Sequence, residues 1–267
     1  MELAAEAGLS AVALTDHDNL AGLAEASRRA AELGITFVPG CEVSCEFAPG
    51  TMHVLCYFIA DEPGALQSEL ARQRVDRETR NDQLLDRLGE LGIALDAAEV
   101  AKQAGSEVIG RPHFAALLVR HGYVGTIQEA FDRFLAKGAA AYVDKEEIEV
   151  DRIIQLVHAA GGVAVLAHPL SLGVERHELA TRLGELRELG LTGLECYYSR
   201  YSPELRSELV DLARRSGLVA TGGSDFHGSY KPDLSVGSGT GDLQVPDAVL
   251  QELLARRPGR DPQAALT

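Results

Sequence analysis

Residues 163–227 read VAVLAHPLSLGVERHELATRLGELRELGLTGLECYYSRYSPELRSELVDLARRSGLVATGGSDFH, and the fold follows from how this stretch alternates. Three short apolar runs, at 163–167, 192–196 and 218–221, are separated by two helix-length segments, at 175–189 and 203–215. Short apolar runs alternating with helices of this length predict parallel βαβ units. The rhythm extends towards the N-terminus. A helix is expected over 150–160, the end of one over 2–8 stopped by Gly8, and another over 20–33 ending at Gly34. Strands are expected over 10–15 (SAVALT), 35–39 (ITFVP) and 51–59 (TMHVLCYFI). The class is α/β, with a barrel-like sheet assembled from residues 1–61 and 141–257.

Residues 62–140 break the alternation. A long helix over 65–91 and shorter ones around 96–104, 112–121 and 126–136, with no convincing strand, predict a helical insertion domain. The tail over 258–267 is expected to be poorly ordered. No apolar run approaches the ~20 residues of a membrane span, and the opening MELAAEAGL lacks the basic start of a signal peptide. A cytoplasmic location and no membrane partner are therefore expected.

The chain has 267 residues, with 25 basic and 40 acidic side chains and a formal net charge of -15. So acidic a protein is poorly suited to duplex DNA, which is held by clustered Lys and Arg. A small anionic substrate is compatible, provided that metals or a few arginines reverse the local field. Cys41, Cys45, Cys56 and Cys196 form no CxxC pair and are read as buried, reduced thiols. The expected state is a monomer or a small homo-oligomer.

The chemistry-bearing residues gather at strand ends. His17 lies in TDHD (15–18), Glu42 in GCEVS after the strand ITFVPG, and His53 inside TMHVLCY. His168 lies in AHP (167–169), Glu195 ends TGLE, and Asp225 and His227 lie in GGSDFH. In β/α-barrels the carboxyl ends of strands share one functional face, so distant residues converge there, with His53 reaching the same cavity from mid-strand. Each residue also has a plainer reading. Asp18 before Leu20 is expected to be a helix N-cap, Asp16 to brace its neighbour, and Glu195 to hold a ligand histidine from behind. Mixed imidazole and carboxylate donors suit zinc, manganese or iron.

TDHD, GCEVS, HVLCY, AHP and GSDFH, in this order and at these spacings, resemble the motifs of the polymerase and histidinol phosphatase (PHP) superfamily. The resemblance covers nearly the whole chain up to about residue 245. RETRN (77–81) and GRPHFA (110–115) resemble one subgroup, which acts on nucleoside 3′,5′-bisphosphates and on the 5′ ends of short RNA. The resemblance implies a distorted (β/α)7 barrel and two or three divalent metals, manganese first, with iron, zinc and magnesium as alternatives. It makes His17, Glu42, His53, His168, Asp225 and His227 metal ligands, with Glu42 bridging. All of these except His53 are also expected to be catalytic. Arg111, His113 and Lys137 become substrate-phosphate contacts. Arg72, Arg74, Arg77 and Arg80 form either a solvated helix face or a guide for a phosphate.

One departure matters. The family opens with a strand ending in H-x-H, and this sequence contains no His-x-His. The expectation is therefore a barrel lacking its first strand, with one metal weakly held, through a misplaced start or a barrel open at one side. The expected function is a metal-dependent phosphoesterase acting on phosphomonoesters of nucleotides or on short RNA. The alternatives are a phosphatase of another small metabolite, such as histidinol phosphate, and a catalytically impaired nucleotide- or partner-binding module.

Overall fold

The computed structural model describes residues 1–105, 108–144 and 147–259; from residue 260 onwards the expected tail lies outside the described residues. The chain forms two compact units, one of Met1–Gln67 with Ile148–Thr267 and the other of Ser68–Glu147.

The first unit carries α1 (Glu2–Glu6), β1 (Ala11–Leu14), α2 (Leu23–Leu33), β2 (Thr36–Cys45) and β3 (Met52–Tyr57). After α3 (Ala65–Glu90), α4 (Ala97–Ala104), α5 (Arg111–Arg120) and α6 (Ile127–Ala130) it resumes with α7 (Val150–Ala159) and β4 (Val163–Leu166). Then come α8 (Arg176–Glu188), β5 (Gly193–Tyr198), α9 (Pro203–Arg215), β6 (Val219–Gly223) and α10 (Ala248–Leu254). The strands form one mixed sheet in the order β1-β2-β3-β4-β5-β6, a curled half-barrel with helices packed on it. Helix α2 packs on β2, α7 on β4, α9 on β5 and β6, and α10 on β6.

Pairing is parallel for β1–β2, β4–β5 and β5–β6, as the alternation predicts. It is antiparallel for β2–β3 and β3–β4, which corrects the expectation of parallel units throughout. Only residues 46–51 join β2 to β3, too few for the crossover that a parallel pair requires. The ITFVP strand is likewise longer than expected. Glu42 does not follow it but lies inside β2, which runs on to Cys45 by pairing with β3.

Gly40 sits where β2 changes partner from β1 to β3. A Cβ there would lie 2.7 Å from the Cys56 carbonyl oxygen and 3.1 Å from Thr15 Cγ2, so the strands can meet only around a hydrogen atom. Gly40→Ala is expected to destabilise by about 1–3 kcal/mol through overpacking, read as a lower midpoint in thermal denaturation.

The period of two sorts this hairpin into faces. Cys41 opposes Cys56 and Val43 opposes Val54 on one side, whereas Glu42, Ser44, His53 and Leu55 share the other. All four cysteines are free and buried. On the Glu42 side, Leu55 pairs with Val165 and joins Val38, Tyr57, Val163, Val219 and the α10 leucines Leu253 and Leu254 in one apolar cluster.

The second unit has its own core, built from Leu84, Leu88, Phe114, Leu117, Leu118 and Leu135 among others. Its last helix differs from the expected single segment over 126–136: α6 is one turn and passes into a π-helical turn at Phe131–Leu135. Among the described residues no helix is long and apolar enough to cross a membrane.

Candidate metal centre

Glu42 is 6% exposed and lies at the middle of a ring of imidazoles. His53 Nδ1 is 2.7 Å from Glu42 Oε1, His168 Nε2 is 3.0 Å from the same oxygen, and His17 Nε2 is 3.7 Å from Oε2. One donor atom each from His17, Glu42 and His53 lies within 4.8 Å of the others. The His17 and His53 rings are 5.1 Å apart, His53 and His168 are 5.1 Å apart, and His17 and His227 are 6.3 Å apart.

Strand direction explains why these groups meet. Because β3 runs antiparallel to both neighbours, its first residues lie at the carboxyl ends of theirs. His53 is the second residue of β3, not mid-strand as expected. His17 follows β1 and pairs as an isolated parallel bridge with Glu42, whose backbone N–H donates to Asp16 O at 3.1 Å. His168 follows β4, where Ala167 N–H donates to His53 O. His168 and Asp225 both have positive φ, +24° and +52°, a region that non-glycine residues occupy uncommonly.

Glu195, at the middle of β5, accepts the His168 backbone N–H on Oε2 at 2.7 Å. Burial raises the Glu195 carboxyl to about 8, with Glu42 and Asp225 adding to the shift against the pull of His168. Asp225 behaves oppositely. Burial works to raise it, but His227 and Lys231 hold it far below the usual carboxylate range. Its Oδ2 accepts from Tyr198 Oη at 2.7 Å and from Lys231 Nζ. Tyr198, Lys231, Ser171 and Tyr201 line the same pocket of about 350 Å³ and were not legible in the sequence. Tyr198 ends β5 and so obeys the strand-end rule, but a tyrosine there is usually core. A larger hollow of about 410 Å³ between α8 and α9 is lined by Arg176, His177 and Glu208. Among the described residues it holds no such cluster of donor groups.

Asp18 is not a helix cap. Helix α2 starts at Leu23 with Gly22 at its N-cap, because Asn19 Oδ1 takes the Ala21 N–H in an intervening turn. Asp18 is fully buried, and its backbone N–H donates to Glu42 O at 2.9 Å. The residues expected at the phosphate lie in the second unit. His113 is buried and its Nδ1 accepts the Gly110 N–H at 2.8 Å. Arg111 lies 4.7 Å over the Tyr142 ring, and Lys137 is exposed. The four arginines of α3 part company: Arg72 forms ion pairs with Glu69 and Asp76, whereas Arg80 is buried.

The donor set fits a divalent metal. Burial raises the Glu42 carboxyl, but His17, His53 and His168 more than offset it and hold Glu42 well below the usual range, as an anion. His168 Nδ1 lies 3.0 Å from Ser171 Oγ, which itself donates to Thr51 O, and His168 Nε2 lies 3.0 Å from Glu42 Oε1. The His168 proton affinity is raised by Glu42 against burial, and that of His227 by Asp225. The raised proton affinity of His168 and His227 means that protons compete with a metal for these nitrogens. Metal binding to the chelated protein is therefore expected to release protons, with affinity rising as pH passes up through the raised imidazole values. Calorimetry in two buffers of different ionisation enthalpy checks this. The stability that these imidazoles give the chelated protein is present below about pH 6.5 and lost as pH rises through their folded values.

The PHP domain family matches residues 1–188. The chain belongs to the PHP domain family. Its PHP relatives include a 3′,5′-nucleoside bisphosphate phosphatase from Chromobacterium violaceum, 32% identical over 254 residues, 92% of this chain and 86% of that one. A 5′-3′ exoribonuclease from Haemophilus influenzae is 31% identical over 220 residues, covering 82% and 80% of the two chains. A crystal structure from Bifidobacterium adolescentis, classed as a metal-dependent phosphoesterase, superposes with a TM-score of 0.82 at 30% identity, over 97% of this chain and 90% of that one. This PHP protein is a metal-dependent phosphoester hydrolase.

Proposed function

We propose that the protein removes phosphate from small phosphorylated nucleotides, 3′,5′-bisphosphates or the 5′ ends of short RNA, using two or three divalent ions, manganese first. The observation that carries the reading is the buried Glu42 carboxylate faced by His17, His53 and His168. The likeness to the bisphosphate phosphatase over 92% of the chain supports the substrate class. The four buried, free cysteines suit a reducing cytoplasm.

Divalent ions bound there supply Lewis acidity, which polarises phosphoryl oxygens and makes water nucleophilic near neutral pH. The protein's own groups do the rest. Glu42 offsets positive charge between the imidazoles, and His17, His53 and His168 present their nitrogens from three different strands or strand ends. Asp225 and His227 complete the set, with Tyr198 and Lys231 fixing the carboxylate of Asp225. Glu195 holds His168 by its backbone. Lys231, a third exposed at the pocket, brings a cation towards an anionic substrate. Arg111, His113 and Lys137 stand as proposed phosphate contacts of the helical unit.

The test is manganese-dependent phosphate release from adenosine 3′,5′-bisphosphate compared with histidinol phosphate. The reading expects kcat/KM at least a hundredfold higher for the bisphosphate. Preference for histidinol phosphate would transfer the protein to the other metabolite class.

A further inference from the structure

Among the described residues, Lys231 is the one lysine or arginine that lines the metal pocket, in a chain of net charge -15. Its ammonium pairs with Asp225 Oδ2, and its side chain is a third exposed. Asp233 is near enough to act on it, but the Arg200 fork already holds that carboxylate. The contact with Asp225 therefore decides where this cation points.

Asp225 does not depend on Lys231 to keep its place. Tyr198 Oη donates to Oδ2 at 2.7 Å, and His227 Nδ1 lies 3.1 Å from Oδ1. Tyr198 is the more rigid of the two Oδ2 donors. It ends β5, and its ring lies 4.9 Å from that of Tyr201 and 5.7 Å from that of His168. Lys231 instead follows the short turn Gly228–Tyr230 and reaches Asp225 on a flexible four-carbon stem. The Lys231 ammonium and a divalent ion seek the same carboxylate, and like charges placed so close repel. Of the groups around Asp225, the lysine stem yields most easily. An ammonium displaced from Asp225 is still at the pocket, where a phosphate offers it oxygens and the opposite charge. Lysine binds phosphate as a compact point charge.

We propose that Lys231 is a catalytic residue that changes partner: it pairs with Asp225 until a divalent ion takes that carboxylate, and then binds the substrate phosphate. This rests on the proposed function for the substrate and for Asp225 as a ligand, and it adds a coupling between metal and phosphate. Binding couplings are reciprocal, so a phosphate that draws Lys231 away also strengthens the hold of Asp225 on the metal.

The experiment uses the full chain as wild type, Lys231→Met and Lys231→Arg, first stripped of metal by a chelator. Manganese titrated calorimetrically should bind Lys231→Met at least about fivefold more tightly than wild type, because no ammonium competes for Asp225. Lys231→Arg keeps the competing charge and should bind manganese no more tightly than wild type. A lysine that merely braced Asp225 would give the reverse, weaker manganese binding by Lys231→Met, and that result or equal affinity overturns the proposal. Inorganic phosphate is then titrated into the manganese-saturated proteins. Lys231→Met should bind it at least about tenfold more weakly than wild type, the worth of one charged hydrogen bond, and Lys231→Arg should recover part of the loss. Equal phosphate affinity in wild type and Lys231→Met overturns the proposal. Should Lys231→Met not fold, Lys231→Gln takes its place with the same expectations. Neither affinity depends on turnover. Wild-type hydrolysis of adenosine 3′,5′-bisphosphate beside either overturning result sinks the role of Lys231 alone. Both expected affinities without hydrolysis sink the proposed function alone.

Discussion

Glu42→Gln is expected to lower metal-dependent kcat/KM at least a thousandfold, about 4 kcal/mol of transition-state stabilisation at 1.36 kcal/mol per decade. Gln keeps the shape of the side chain, but removes the negative charge that three imidazoles face and places an N–H donor among them. The variant should retain its fold by circular dichroism and lose bound metal by elemental analysis. Full activity with normal metal content would remove Glu42 from the centre. A second signature follows from the sign of its shift. The folded carboxyl is depressed, so in the chelated protein Glu42 contributes stability above its ordinary pKa. That contribution is lost as pH falls through the folded value. The variant lacks this acid-labile component, and urea melts of the two chelated proteins at falling pH should therefore converge.

The second large effect is expected away from the chemistry. Arg206, on α9, is 7% exposed and donates Nε to Tyr198 O at 3.1 Å and Nη2 to Ser199 O at 3.2 Å. Its fork also grips the Asp242 carboxylate at 2.9 and 3.1 Å. Ser199 Oγ in turn donates to Ser224 O at 2.6 Å, next to Asp225, while Tyr198 Oη holds Asp225 itself. Arg206→Ala removes the charged donors from the Tyr198 and Ser199 carbonyls, which keep only the Tyr201 N–H and Thr240 Oγ1, and removes the fork on Asp242, at about 3 kcal/mol in all. A total near 3 kcal/mol corresponds to a melting temperature lower by roughly 6–12 °C. Because the same residues position Asp225, metal affinity should fall alongside stability. A variant that melts like wild type would show that the Arg206 contacts contribute nothing to stability.

Much of this was legible in the sequence, for reasons that differ by residue. The run from 163 to 227 announces its strands because each apolar segment is bracketed by a helix of readable length, and β4, β5 and β6 follow it closely. Strand direction was not legible: TMHVLCY reads the same whether it runs up or down the sheet. Only the short 46–51 connection argues for a hairpin, and its consequence is that His53 reaches the site from the start of β3. Asp18 was misread because an acid two residues before an apolar run resembles a cap, whereas Asn19 takes that local hydrogen bond. Tyr198 and Lys231 escaped because neither residue type, nor its spacing, sets a site residue apart from an ordinary tyrosine or a surface lysine. Arg80 was seen as one of four arginines, and its burial separates it from Arg72, which pairs in solvent.

The most direct test of the central claim is manganese-dependent phosphate release from adenosine 3′,5′-bisphosphate by the 267-residue chain, assayed after chelation and again after manganese is returned. The account predicts negligible turnover in chelator and its restoration by manganese. A folded protein that binds manganese but releases no phosphate, or that turns over equally in chelator, would contradict it.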